Sequence, residues 1–334
     1  MKKENNKTKK HPVRKALCIV LVVVIALVSS LVLLMTHDWK EEYIKYETTN
    51  SNITELGTTL VSAHRSGGGI FPENTMMAFE GCINSDTFKT DIFEFDLHIT
   101  GDDELIILHD NTLDRTTDAV EHFGKEDIRP EEYTYEELRS LNFGESFETD
   151  DGEHPYQGLR GNDVPDSLRV SNLKDVLSYL QSKGDFGYII EIKNGGELGK
   201  KSADILYSTL KEMDLLDNAV VGTFQNSVTN YLDEKYPDMP RSASIIEVAK
   251  VYFNSLLGLD KKEGIYKFNA LQIPTGLAII DLATARLVNY AHRHNIAVQY
   301  WTINDTAMMQ QLKDIGADCI MTDIPDVAYD LLYT

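Results

Sequence analysis

The sequence predicts a closed (β/α)8 barrel with an insertion after its second strand, preceded by one N-terminal transmembrane helix. Three observations carry that expectation. A charge-free apolar run lies near the N-terminus, eight short β-branched runs alternate with helical stretches, and one long polar stretch interrupts the alternation. The 334 residues are 42% hydrophobic and 25% charged with three cysteines, which excludes a disordered or disulfide-stapled chain.

The elements follow in chain order. Residues 1–15 form a basic head with seven Lys and Arg against Glu4, leaving the rest of the chain at −27 of a total net charge of −21. Next comes ALCIVLVVVIALVSSLVLLM, Ala16 to Met35, twenty residues long enough to span the hydrocarbon core as a helix. Basic residues before it and an acidic chain after it put the N-terminus in the cytoplasm and the bulk of the protein outside the cell membrane. The run is longer than the apolar region of a cleaved signal peptide and continues past its one small pair, Ser29-Ser30, so it reads as an uncleaved signal anchor. Cys18 precedes most of that run and is no lipoprotein cysteine, and Cys82 and Cys319 read as buried free thiols. Residues 36–57 are polar and read as a stalk.

From residue 58 to 334 the pattern is that of a parallel α/β barrel. Strands are expected at Leu60–Ala63, Ile92–Leu97, Tyr188–Ile192, Val220–Thr223, Ser242–Ile246, Ala270–Ile273, Ala297–Thr302 and Cys319–Thr322. Helices are expected at Asn74–Ile83, Leu198–Met213, Ser227–Lys235, Leu282–His292 and Thr306–Ile315. Residues 115–170, with an acidic run at Glu145–Glu153, read as an insertion, a lid over the site. An acidic surface without a basic patch excludes nucleic acid as a partner.

In such a barrel the chemistry sits at the C-terminal ends of the strands. The first strand ends in His64-Arg65, followed by Gly67-Gly68-Gly69, supplying a proton carrier, a phosphate clamp and a close backbone approach. On the second strand Glu94 and Asp96 share one face, and two such carboxylates repel each other unless a cation lies between them. A hairpin at Thr100–Asp103 returns the chain to His109-Asp110 beside that pair. Glu191 and Lys193 share a face at the end of the third strand, adding a third carboxylate and a fixed cation. Trp301, at the end of the seventh strand, reads as a platform for the substrate, and Phe71 and Phe224 are weaker candidates for the same mouth. His98 shares the carboxylate face but is set aside as a fourth ligand, and His292 and His294 read as helix-end residues outside the site.

Taken together, His64-Arg65, Pro72-Glu73-Asn74-Thr75-x-x-Ala78-Phe79, Glu94-x-Asp96-x-x-x-Thr100-x-Asp102 and His109-Asp110-x-Thr112-Leu113-x-Arg115-Thr116-Thr117 resemble the glycerophosphodiester phosphodiesterase family. The likeness continues through Glu191-x-Lys193, Trp301-Thr302-x-Asn304 and Gly316-Ala317-Asp318-x-Ile320-x-Thr322-Asp323-x-Pro325, in family order from about residue 60. The resemblance implies one divalent ion, Ca2+ or Mg2+, on Glu94, Asp96 and Glu191. It also implies His64 and His109 as the acid–base pair, with His64 as first base, Arg65 and Lys193 on the phosphate, and Glu73 and Asn74 in support. The implied reaction is metal-dependent hydrolysis of small glycerophosphodiesters to sn-glycerol 3-phosphate and an alcohol. Two departures stand out: Ser66 where the family has Gly, and Val164-Pro165-Asp166-Ser167-Leu168 where it has Pro-Thr-Leu-x-Glu.

Competing readings are a phospholipase-type enzyme acting on lipid or lysolipid head groups, a teichoic acid hydrolase, and a barrel that only binds. A lipid-reading enzyme is expected to carry an exposed apolar rim, and the acidic insertion argues against one. A −27 surface repels a polyanion, and the intact set of carboxylates and histidines argues against a non-catalytic barrel.

Overall fold

The computed structural model describes residues 11–36, 41–55, 57–259 and 264–333. The first ten residues of the basic head, and residues 37–40 and 56 of the stalk, lie outside them.

Helix α1 (His11–Thr36) covers the apolar run, with side chains such as Leu17 and Ile19 exposed. Among the described residues no helix is long and apolar enough to cross a membrane. The expected transmembrane helix therefore remains a proposal.

Seven parallel strands form the barrel wall: β1 (Leu60–Ala63), β2 (Ile92–Ile99), β4 (Gly187–Ile192), β5 (Ala219–Gly222), β6 (Ala270–Ile273), β9 (Ala297–Tyr300) and β10 (Cys319–Thr322). Their order is β5-β4-β2-β1-β10-β9-β6. The gap between β5 and β6 is bridged by residues 240–243: Val221 N donates to Pro240 O, Ser242 N to Val221 O and Ala243 N to Ala270 O. The strand expected at Ser242–Ile246 is thus reduced to two isolated bridges, at Arg241 and Ser242. Ile245 instead opens helix α8 (Ile245–Leu256), because the Glu247 carboxylate reaches back to the Ser244 N–H at 2.8 Å. The remaining strands match expectation to within one or two residues at their ends.

Helices α2 (Met76–Ile83), α5 (Leu173–Lys183), α6 (Gly196–Glu212), α7 (Asn226–Lys235), α9 (Ala285–Arg293), α10 (Thr306–Asp314) and α11 (Pro325–Tyr333) complete the outer layer with α8. Alternation along β2 explains the packing. Phe93, Phe95, Leu97 and Ile99 face outward into the sheet–helix core, which leaves Glu94, Asp96 and His98 facing inward.

Strand β3 (Leu105–Ile107) returns antiparallel on β2 through the expected hairpin. Beyond it the insertion carries α3 (Ala119–Phe123) and α4 (Tyr135–Leu138) around its own core of Leu108, Leu113, Ile128, Leu138, Leu141 and Phe143. A short hairpin, β7 (Gly276–Leu277) and β8 (Ile280–Asp281), follows β6.

Residues 41–55 are more than a stalk. They form a strap bound to the barrel: Asn50 Nδ2 donates to Asn269 O and Asn295 O, and Thr54 N donates to Asp318 Oδ1. Ile53 packs against Val220, Ala270 and Ala297 and plugs the barrel floor. His292, buried at the end of α9, holds Asp318 at 2.8 Å and the Tyr43 hydroxyl at 3.2 Å, so it is a clasp for the strap and lies outside the site as expected. Cys82 and Cys319 are buried free thiols.

Candidate active site

A cavity of about 390 Å3 opens at the C-terminal ends of the barrel strands. His64, Arg65, Glu94, Asp96, His109, Glu191, Lys193 and Trp301, all expected site residues, line it. The other two, Glu73 and Asn74, stand behind them.

β1 delivers His64 into a tight turn in which Arg65 (φ 48°), Ser66 (φ 64°) and Gly67 (φ 91°) are all left-handed. Gly67 is required twice over, since a Cβ there would lie 2.8 Å from Cys82 Sγ. The turn points the Arg65 N–H at Glu94 Oε2, 2.7 Å away. The Arg65 guanidinium is held 3.3 Å from both oxygens of Glu73, which Arg115 also grips at 2.7 and 2.9 Å. Asn74 donates to Asp96 Oδ2 at 3.2 Å.

Each histidine is oriented by a carboxylate. His64 Nδ1 lies 2.6 Å from Asp323 Oδ1, leaving Nε2 3.4 Å from Thr302 Oγ1 and 4.0 Å from Glu94 Oε2. His109 Nδ1 lies 2.6 Å from Asp110 Oδ1, and Arg115 Nε holds Asp110 at 2.6 Å. Asn304 donates to Asp323 at 2.7 Å. Asp110, Asp323, Asn304 and Arg115 fall inside the motifs quoted above, but sequence reasoning gave them no role. Asp110 directly follows the histidine it holds, whereas spacing gives no sign of the partner of Asp323, which is 259 residues from His64.

In the register of β2 on β4, Asp96 pairs with Glu191. Lys193 Nζ sits between them, 3.1 Å from Glu191 and 3.5 Å from Asp96. Burial pushes the Glu94 carboxyl up to about 8, with Asp96 adding to it, and burial and Asp96 raise Glu191 too. Burial works against charge on His64, but Glu94 and Asp323 outweigh it and raise its pKa. On His109 burial prevails over Asp96 and Asp110 and lowers it. His98 is buried and driven down to about 4 by that burial, and it does not line the cavity.

Among the described residues no group of three or more His, Cys, Asp or Glu side chains is gathered as a metal site. The donor set nonetheless fits a hard cation. Three carboxylates line the same cavity, burial with the Asp96 charge raises Glu94 and Glu191, and Asp96 Oδ1 is buried without a hydrogen bond, the Lys193 ammonium lying 3.5 Å away.

Phe224 lines the mouth, 52% exposed and edge-on to Trp301 at 6.0 Å. Phe71 does not, because its ring packs over Gly81 on α2. No residue of 115–170 lines the cavity, and Arg115 at the start of the insertion holds Asp110 and Glu73 beside it. A second cavity, of about 410 Å3, lies between the strap and α8–α9. It holds no histidine and no carboxylate pair, so the chemistry belongs to the first.

A barrel with two carboxylate-braced histidines, a carboxylate cluster and two cations at the strand ends defines a phosphodiester hydrolase of the barrel type. Residues 64–327 match the glycerophosphoryl diester phosphodiesterase family, and the chain belongs to it. It is 26% identical to a glycerophosphodiester phosphodiesterase of Caldanaerobacter subterraneus subsp. tengcongensis, over 82% of this chain and 98% of that one. It is 24% identical to the Bacillus altitudinis enzyme of the same name, over 81% and 96%. The fold matches a solved Oleispira antarctica phosphodiesterase in complex with the product sn-glycerol-3-phosphate, with a TM-score of 0.60 and 20% identity, over 83% of this chain and 98% of that one.

Proposed function

We propose that His64 and His109 form the acid–base pair of a glycerophosphodiester phosphodiesterase that releases sn-glycerol 3-phosphate, with Arg65 and Lys193 on the phosphate and Trp301 against the organic part. The observation that carries this reading is that both imidazoles have Nδ1 tied to a carboxylate, 2.6 Å in each case, which fixes the tautomer and frees Nε2 for proton transfer.

One histidine takes the proton of the glycerol 2-hydroxyl as its oxygen attacks phosphorus, and the other protonates the departing alcohol. A cyclic phosphate results, and water opens it with the two roles exchanged. Asp323 and Asp110 stabilise whichever imidazole is charged. Arg65 and Lys193 offset the charge that builds on the non-bridging oxygens. Glu94, Asp96 and Glu191 would hold a divalent ion, Ca2+ or Mg2+, which supplies further charge neutralisation at the phosphate.

The anchor reading belongs to the same proposal: Ala16–Met35 spans the cell membrane once and the barrel lies outside it. The test is release of glycerol 3-phosphate by the full chain from glycerophosphocholine and glycerophosphoethanolamine, with EDTA and with Ca2+ or Mg2+ restored. Release that stops on chelation and returns with the ion supports the reading. Folded protein that releases nothing under any of these conditions overturns it.

A further inference from the structure

The apolar side of the mouth does more than close the cavity. Ile245 is 65% exposed, Ile246 56%, Leu277 67%, Ile279 61% and Phe224 52%. Leu277, Phe224 and Ile245 line the cavity, Ile246 follows in the first turn of α8, and Ile279 sits on the turn of the β7–β8 hairpin. Residues 223–227, 242–248 and 274–283 contain only two charges, Glu247 and Asp281. Glu247 is turned inward onto Arg241 at 2.9 Å. Five large apolar side chains raised together on loops around one opening are costly in water and mark an interaction surface.

The strap says what covers it. α9 runs from the mouth end, just after Leu282, toward the floor, where β9 begins. The strap descends this helix: Glu41 pairs with Arg286 in its first turn at 2.8 Å, Ile44 N donates to Asn289, Tyr46 meets Arg293 and Asn50 meets Asn295. The chain that leaves α1 at Thr36 therefore reaches the barrel at the level of the mouth. Four residues, 37–40, separate α1 from Glu41, so the five steps from Thr36 to Glu41 span at most ~18 Å. An anchor tied there holds the mouth, and not the floor, next to the bilayer. A second exposed group, Leu257, Leu259 and Ile265, adjoins residues 260–263 outside the described chain.

We propose that the apolar half of the mouth is a membrane-docking surface that sets the catalytic opening against the leaflet from which α1 emerges. The site then takes a single-chain amphiphilic phosphodiester resident in that leaflet. This rests on the anchored-hydrolase reading above. The polar head enters toward Glu94 and His109, while the chain passes along Ile245, Leu277 and Phe224 and stays in lipid. The exposed apolar rim that a lipid-reading enzyme is expected to carry is present, on a part of the mouth to which the acidic insertion contributes no residue.

The test uses the full chain in phosphatidylglycerol–phosphatidylethanolamine vesicles. Ile279→Cys, in a Cys18→Ser background, carries an environment-sensitive fluorophore. Glu55→Cys on the strap is the control. Docking predicts a blue-shifted Ile279 label quenched by brominated lipid and an unquenched Glu55 label. The double variant Ile246→Asp/Ile279→Asp should lose about tenfold or more of its turnover of vesicle-borne lysophosphatidylethanolamine. Its turnover of soluble glycerophosphoethanolamine should stay unchanged. An Ile279 label that remains in water, or a double variant that hydrolyses the lysolipid normally, overturns docking even where the soluble diester is cleaved. Failure on the soluble diester by the wild-type chain overturns the hydrolase reading itself.

Discussion

The half of the barrel mouth built by β1, β2 and β4 and the half built by β5, residues 240–243 and β6 are constructed on opposite rules. In the first, every functional side chain is held by a charged or polar partner: Asp323 on His64, Asp110 on His109, Glu73 on Arg65, Lys193 between Asp96 and Glu191. In the second, the side chains at the opening are large, apolar and exposed. On the proposed reading the difference separates two tasks. Moving protons and neutralising phosphate demand groups fixed at set distances, and a buried network supplies that fixity. Admitting an apolar alcohol or a lipid demands surface without polar cost. The reaction should therefore fail when the first half is altered, and the choice of substrate should shift when the second is.

The largest effects are expected in the charged half. His109→Ala should lower kcat by at least ~100-fold, the usual contribution of a general acid or base, and Glu94→Gln should abolish turnover. Both proteins should keep the wild-type far-ultraviolet circular dichroism, because neither residue belongs to the hydrophobic core. A next-smaller loss, about 10- to 100-fold, is expected for Asp323→Asn and Asp110→Asn, which keep the shape but not the charge that steadies each imidazolium. If either aspartate variant worked at the wild-type rate, the bracing argument would be lost. In the apolar half, Phe224→Ala should leave kcat for glycerophosphoethanolamine within about threefold and raise KM for diesters with long alkyl alcohols more than for short ones. An equal change for both classes would erase the contrast between the halves.

Much of the charged half was legible in sequence, because a strand fixes which residues share a face. Glu94 with Asp96 and Glu191 with Lys193 follow from a period of two, and the barrel rule places them at one end. Their braces were not legible as braces: Asp323 meets His64 only because β10 closes beside β1. The apolar half misled for a physical reason. Ile245 and Ile246 resemble strand residues by their branching, whereas Ser244 and Glu247 at capping-box spacing were the signal for a helix start. The strap also escaped, since a polar run such as 41–55 shows its contacts only when Asn269, Asn295 and Asp318 are assembled at the floor.

Two smaller stability effects follow from those elements. Ile53→Ala should cost about 2 kcal/mol in denaturant unfolding, by unplugging the floor under Val220, Ala270 and Ala297. Ser66→Gly should stabilise by up to about 1 kcal/mol, because Ser66 holds φ 64° and a buried hydroxyl without a partner. A destabilised Ser66→Gly protein would mean that the hydroxyl has a role the left-handed turn does not explain.

The division of labour is tested most directly by following glycerophosphoethanolamine by phosphorus NMR with the wild-type chain and with Glu94→Gln under the same divalent-ion concentration. The account predicts that the diester resonance gives way to that of glycerol 3-phosphate with the wild type and persists with the variant. Equal conversion by the two proteins would contradict it and place the chemistry away from the carboxylate-lined half of the mouth.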